Sequence, residues 1–148
     1  MQIKPKVFAY ETTIRWIGEK RGVLACEGKP DLEVSSPPEF KGHAGFWTPE
    51  DLLVAAVNSC TMMTFLSAAA RETIAIVSYE SDATGTLETA EDGVFRFTRV
   101  VLRPRIVLAR QEDRDRAHAA FKKAEASCLV TSSLLTEVEG EPRIEVKA

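Results

Sequence analysis

With 148 residues, 45% of them hydrophobic and 28% charged, the chain has the composition of a soluble domain long enough to bury most of its apolar surface around one core. A single domain over residues 1–148 is therefore expected, and a net charge of -3 provides no broad basic surface, so nucleic-acid binding is not. Neither histidine lies at i, i+3 or i+4 from a cysteine and no CxxC pair occurs, which leaves only a metal site assembled from distant residues; no metal and no cofactor are expected.

The first stretch, "MQIKPKVFAYETTIRW", lacks the apolar core of a signal peptide, and the expected location is the cytoplasm. Thiols stay reduced there, so the three cysteines read as buried fillers, metal ligands or reactive groups before they read as staples. From residue 5 to 36, "VFAYETTIRWI", "GVLACEG" and "LEVSS" alternate in polarity and are broken by Gly18, Gly22, Gly28 and Pro30, predicting three strands in a meander. "SPPEFKGHAGFW" then reads as a loop.

Residues 48–71 follow, with no charged side chain between Leu52 and Ala70. Nineteen such residues approach the ~20 that span a bilayer, but Asn58, Ser59, Thr61, Thr64 and Ser67 interrupt them, so no membrane crossing is expected. A helix buried on nearly every side fits better. Thr48 is a natural N-cap, Pro49 suits the first helical position, Glu50 and Asp51 complement the positive end of the dipole, and Arg71 the negative end. Such a helix is about 36 Å long, more than a small monomer usually encloses, which implies burial between two subunits.

Beyond it, "IAIVSYESDATGTLET" and "VFRFTRVVLRPRIVL" are long β-rich runs around a hairpin signal, "AEDG", with Pro104 bending the second run or placing it at an edge. A second helix over Asp113–Ala126 presents Ala117, Ala120, Phe121 and Ala124 on one face; a short third helix follows Ser127, and "RIEVKA" closes the chain as a strand. The order βββ-α-ββ-αα-β is α+β.

The cysteines differ in setting. Cys26 sits on a strand without a cationic cluster of its own and reads as structural. Cys60, in the middle of an apolar helix, reads singly as core filling, because desolvation raises a thiol pKa. Cys128 follows Ser127, a candidate N-cap, where free amides lower a thiol pKa, yet it also continues the 117, 121, 124 stripe.

"TPEDLLVAAVNSC", with Glu50 ten residues before Cys60, and the later "KKAEASCLVTSSL" resemble the OsmC/Ohr family of osmotically inducible and organic hydroperoxide resistance proteins; "EKRGVLACEG" matches the place where that family has an arginine. The resemblance covers nearly the whole chain and implies an OsmC-like α+β fold, with antiparallel sheets around long central helices in an intertwined homodimer. It also implies a thiol-dependent peroxidase without a cofactor. Cys60 maps to the peroxidatic thiol, Cys128 to the resolving thiol, and Arg21 and Glu50 to the family's arginine and glutamate. The implied partners are an organic hydroperoxide and a dithiol reductant, for example of lipoyl type. One departure is Leu129, where the family commonly has proline after the second cysteine.

In that setting a dry thiolate needs a cation such as Arg21, and Arg21 an acceptor such as Glu50. Ten helical residues separate Glu50 from Cys60 by roughly 15 Å, so a Glu50 from a second, antiparallel copy crossing near Ala55 and Ala56 is one way to complete the site. Phe46, Trp47, Met62, Met63 and Phe65 are candidates for an apolar substrate pocket, or for packing. A non-catalytic ligand-binding or scaffold dimer with inert thiols, and a metal- or electrophile-binding thiol protein, are the competing readings.

Overall fold

The computed structural model describes residues 3–148. Contacts divide the chain into two compact units, Met1–Leu52 and Leu53–Ala148.

In the first unit, β1 (Thr13–Gly18), β2 (Arg21–Ala25) and β3 (Leu32–Ser35) form the expected antiparallel meander. β1 is shorter than its alternating pattern: residues 7–12 are not strand, and the apolar side chains of Val7, Phe8, Ile14 and Trp16 are exposed. The β1–β2 turn is tight, with Glu19 in the left-handed region at φ 50° and Trp16 Nε1 donating to Glu19 O at 2.8 Å. A single 3-10 turn, Pro38–Phe40, interrupts the expected loop, and the Ser35 amide donates to Trp47 O at 2.9 Å. α1 (Pro49–Arg71) then starts at a capping box. The Asp51 amide donates to Thr48 Oγ1, and the Thr48 amide donates to Asp51 Oδ2, each at 3.0 Å. Two otherwise orphaned donors are thereby satisfied, and Thr48 is the cap its sequence position predicts.

The second unit holds the core. β4 (Ile76–Thr89) and β5 (Phe95–Leu108) pair along their whole lengths as the long hairpin that "AEDG" predicts. α2 (Arg114–Ser127) buries the expected face, Ala117, Ala120, Phe121 and Ala124, against Phe65 of α1 and Ile106 and Leu108 of β5. Phe65 stacks obliquely on Phe121, with centroids 6.0 Å apart. Apolar burial of this kind stabilises by about 25 cal/mol per Å². A second cluster joins Val57 to Val100 and Leu102. α1 lies close on β4 because Gly85 has no side chain: a Cβ there would stand 2.5 Å from Val54 Cγ2.

Two features depart from the sequence pattern. β6 (Glu137–Gly140), a strand absent from the expected order, pairs in parallel with Arg99–Leu102, and β7 (Arg143–Val146) pairs in parallel with Arg105–Leu108. β5 is therefore central, and Pro104 is at neither an edge nor a bend. It falls in the gap between the two parallel partners, where its missing N–H costs no ladder bond.

By length and composition alone α1 could cross a membrane, but Val57, Phe65, Ala68 and Ala69 pack into the core. Only 28% of its most apolar window is buried within the chain, against an expected burial on nearly every side. Ser59, Met63, Ser67 and Ala70 form an exposed face.

Candidate active site

Cys60 and Cys128 come together in the second unit. Cys60 is half-buried on α1. Cys128 is the junction residue between α2 and α3 (Leu129–Ser132), with extended backbone angles, φ -61° and ψ 121°, that end one helix and start the next. Ser127 is thus the last residue of α2 rather than a cap, its hydroxyl turned back onto Lys123 O at 2.6 Å. The Ser132 amide and hydroxyl both donate to Cys128 O, at 2.9 and 2.8 Å. Those two bonds fix the junction and aim the thiol inward, where Cys128 is fully buried. Leu129 occupies the first helical position with its side chain exposed, so the family's proline is not needed to start this turn.

The polar neighbours of the Cys128 sulfur are the Cys60 thiol, Thr131 and Thr61. Burial pushes the Cys128 thiol up, but the hydrogen-bonding influence of these neighbours outweighs it and holds the pKa below the ordinary thiol value. Sequence position anticipates the direction and one of the causes, an amide at the start of α3, that of Thr131; the contribution of the neighbouring Cys60 thiol is not visible in the sequence. All three cysteines are free thiols.

Arg21 and Glu50 belong to the first unit. Arg21 Nη2 contacts Glu33 Oε2 at 3.3 Å, its guanidinium lies 4.6 Å from the Phe46 ring centroid, and its Nε is buried without a hydrogen-bond partner. Glu33, directly across the β2–β3 ladder from Val23, therefore holds the arginine that the sequence assigns to Glu50. Glu50 Oε2 is likewise buried and unpartnered. Arg21 lines a largely apolar cleft of about 430 Å³ together with Ile14, Trp16, Val34 and Pro49.

The expected pocket residues separate. Phe65 is core, fully buried. Phe46 lies against Arg21, Trp47 and Met63 are exposed, and Met62 lines a cleft of about 290 Å³ with Asn58 and Tyr79. Cys26 does have a cation: Lys29 Nζ lies 3.3 Å from its sulfur across the turn at residues 26–29. The spacing i, i+3 across "CEGK" is the signal that points to it. Among the described residues no group of three or more His, Cys, Asp or Glu could hold a metal ion.

The profile of the OsmC-like protein family matches residues 42–142, a span that includes both Cys60 and Cys128. The chain is 28% identical over 136 residues to the uncharacterized protein YmaD of Bacillus subtilis, covering 89% of this chain and 90% of that protein. Among solved structures, it resembles an OsmC-like protein of unknown function from Vibrio cholerae with a TM-score of 0.86 at 24% identity, over 93% of this chain and 100% of that one. It also resembles an organic hydroperoxide resistance protein OsmC from Legionella pneumophila, with a TM-score of 0.72 at 21% identity, over 94% and 99% of the respective chains.

Proposed function

This chain belongs to the OsmC-like protein family, and on that premise we propose that it is a cytoplasmic, homodimeric thiol-dependent peroxidase that reduces organic hydroperoxides at Cys60. The contact between the Cys60 thiol and the buried Cys128 sulfur is the observation that carries the reading. Cys60 is the more exposed of the two and the one a hydroperoxide reaches.

With Cys128 as the thiolate, the Cys60 proton passes to the Cys128 sulfur as the peroxide approaches. The Cys60 thiolate then attacks the terminal peroxide oxygen, the O–O bond breaks, and the alkoxide takes a proton from water to leave as an alcohol. Cys60 is now a sulfenic acid. Cys128 attacks its sulfur, hydroxide departs with the Cys128 proton as water, and a disulfide remains. A dithiol reductant, for example of lipoyl type, restores both thiols by exchange. Arg21 is the proposed cation for the charge that develops as the O–O bond breaks, and Glu50, supplied by either copy of the dimer, its proposed carboxylate partner. The unpaired Arg21 Nε and Glu50 Oε2 support giving these two groups a role beyond packing.

The test is consumption of cumene hydroperoxide with dihydrolipoamide as donor. Cys60→Ser should abolish turnover. Cys128→Ser should complete one oxidation and stall as a trappable sulfenate, and Arg21→Ala should slow the peroxide step. Equal rates in wild type and both cysteine variants would mean that the pair is inert and the dimer a binding or scaffold protein.

A further inference from the structure

We infer that Cys26 and Lys29 form an oxidation-dependent modification site, in which a hydroperoxide converts the thiol to a sulfenic acid and the lysine amine closes onto it as a sulfenamide bridge. Nothing in this step passes through Cys60 or Cys128, so it stands apart from the peroxidase reading.

The turn between β2 and β3 sets the pair up. The Lys29 amide donates to Cys26 O at 3.0 Å, and Gly28, third of the four turn residues, has the left-handed φ of 73° that a type II turn requires. Across that turn Lys29 Nζ donates to the Cys26 sulfur at 3.3 Å. Glu11, Glu27 and Asp31 line the same cleft of about 740 Å³, yet Lys29 is ion-paired with none of them. The partner of the amine is the sulfur. Cys26 is half-buried rather than sealed, and the cleft it lines with Thr12 and Thr13 has room for a small hydroperoxide. No second cysteine lies in residues 1–52, so the first unit offers a sulfenic acid at Cys26 no thiol to condense with. The amine in contact with it takes that place.

The atoms balance with a hydroperoxide as the oxidant. The Cys26 thiolate attacks the terminal peroxide oxygen, the O–O bond breaks, and the departing alkoxide takes a proton from the Lys29 ammonium to leave as an alcohol. Cys26 is then a sulfenic acid and Lys29 a neutral amine. The amine lone pair attacks the sulfur, the S–O bond breaks, and hydroxide leaves with one N–H proton as water, so the bridged pair has two hydrogens fewer than the starting pair. Attack across one turn is intramolecular, which favours it over capture by a nucleophile free in solution. A dithiol reverses the bridge: one thiolate attacks the Cys26 sulfur, the amine leaves with a proton, and the second thiol releases Cys26 as it closes the reductant's own disulfide.

The test uses the full-length protein, treated with excess cumene hydroperoxide, alkylated with N-ethylmaleimide and digested with an endoproteinase that cuts after glutamate. Cleavage at Glu27 puts Cys26 and Lys29 on different peptides, which stay joined only through the bridge. The expected product is a joined pair lighter by two hydrogens than its two peptides together, released by dithiothreitol, in wild type and in Cys60→Ser alike. Lys29→Arg keeps the charge but should lose the joined pair and accumulate instead a Cys26 sulfenate that dimedone captures. Separate peptides in the peroxide-treated wild type, dimedone capture at Cys26 equal in wild type and Lys29→Arg, a Cys26 disulfide with Cys60 or Cys128, or a joined pair that keeps the peroxide oxygen would each overturn the inference. Loss of the joined pair in Cys60→Ser would overturn it too, since oxidation would then reach Cys26 only by way of Cys60.

Discussion

Arg116 Nη1 donates to Asp113 Oδ1 at 3.0 Å, and Asp113 is fully buried beneath it. Arg110 Nε holds the other carboxylate oxygen at 3.0 Å, and the Ala75 amide approaches it at 3.4 Å. Arg116 also donates to Glu72 O and Arg110 to Thr73 O, so one carboxylate ties the start of α2 to the chain leaving α1. Burial works to raise the Asp113 pKa, but the Ala75 and Arg110 hydrogen bonds and the charges of Arg110 and Arg116 hold it below the usual carboxylate value.

A group with a depressed folded pKa contributes stability that is present above its unfolded value, about 3.9, and lost as pH falls through the folded one. Denaturant unfolding should therefore show the wild type losing stability on acidification below about pH 4. Asp113→Asn should be less stable than wild type at pH 7, and the gap should narrow at pH 3. A gap independent of pH would mean that the carboxylate's charge is not what stabilises this joint.

Thr48 and Asp51 close a reciprocal pair of bonds at the start of α1. Thr48→Ala should cost about 1 kcal/mol, and Thr48→Ser very little, because only the hydroxyl acceptor is required. Chemical denaturation of the three proteins at neutral pH measures this directly. If alanine is tolerated as well as serine, water satisfies the Asp51 amide just as well.

Gly85 is the point where the α1 surface meets β4. A Cβ would lie 2.5 Å from Val54 Cγ2 and 2.9 Å from Phe97 Cε1, closer than packed side chains allow. Gly85→Val should destabilise by roughly 1–3 kcal/mol, the usual cost of overpacking. Pairing it with Val54→Ala should recover part of the loss, since the two positions share one space; simple additivity of the two changes would contradict the contact.

How far the sequence reveals this structure depends on whether the signal is local. α1 is legible at both ends because Thr48, Pro49 and Asp51 act within one turn, and α2 because Ala117, Ala120, Phe121 and Ala124 repeat at helical spacing. β6 is hidden because "EVEG" is four residues long and takes its partner, Arg99–Leu102, from far along the chain. The same non-local pairing explains Pro104, whose place in the interior is allowed only by a gap that β6 and β7 create. In the site, the two cysteines stand out as a motif, whereas the acceptor of Arg21 does not. Glu33 reaches it through the β2–β3 register, which no spacing rule between residues 21 and 50 contains. Thr61 and Thr131 look like ordinary helix polar residues until the sulfur between them is seen.

Because Cys60 lies on α1 and Cys128 beyond α2, a bond between their sulfurs would enclose β4, β5 and α2 in one covalent ring. Closing a loop of that length removes freedom chiefly from the denatured chain, worth on the order of 4 kcal/mol where the native geometry is unstrained. The proposed chemical cycle would then also be a cycle in resistance to unfolding. A molecule caught between substrate and reductant would be the toughest form of the protein, and the reductant would return it to the softer state in which it began.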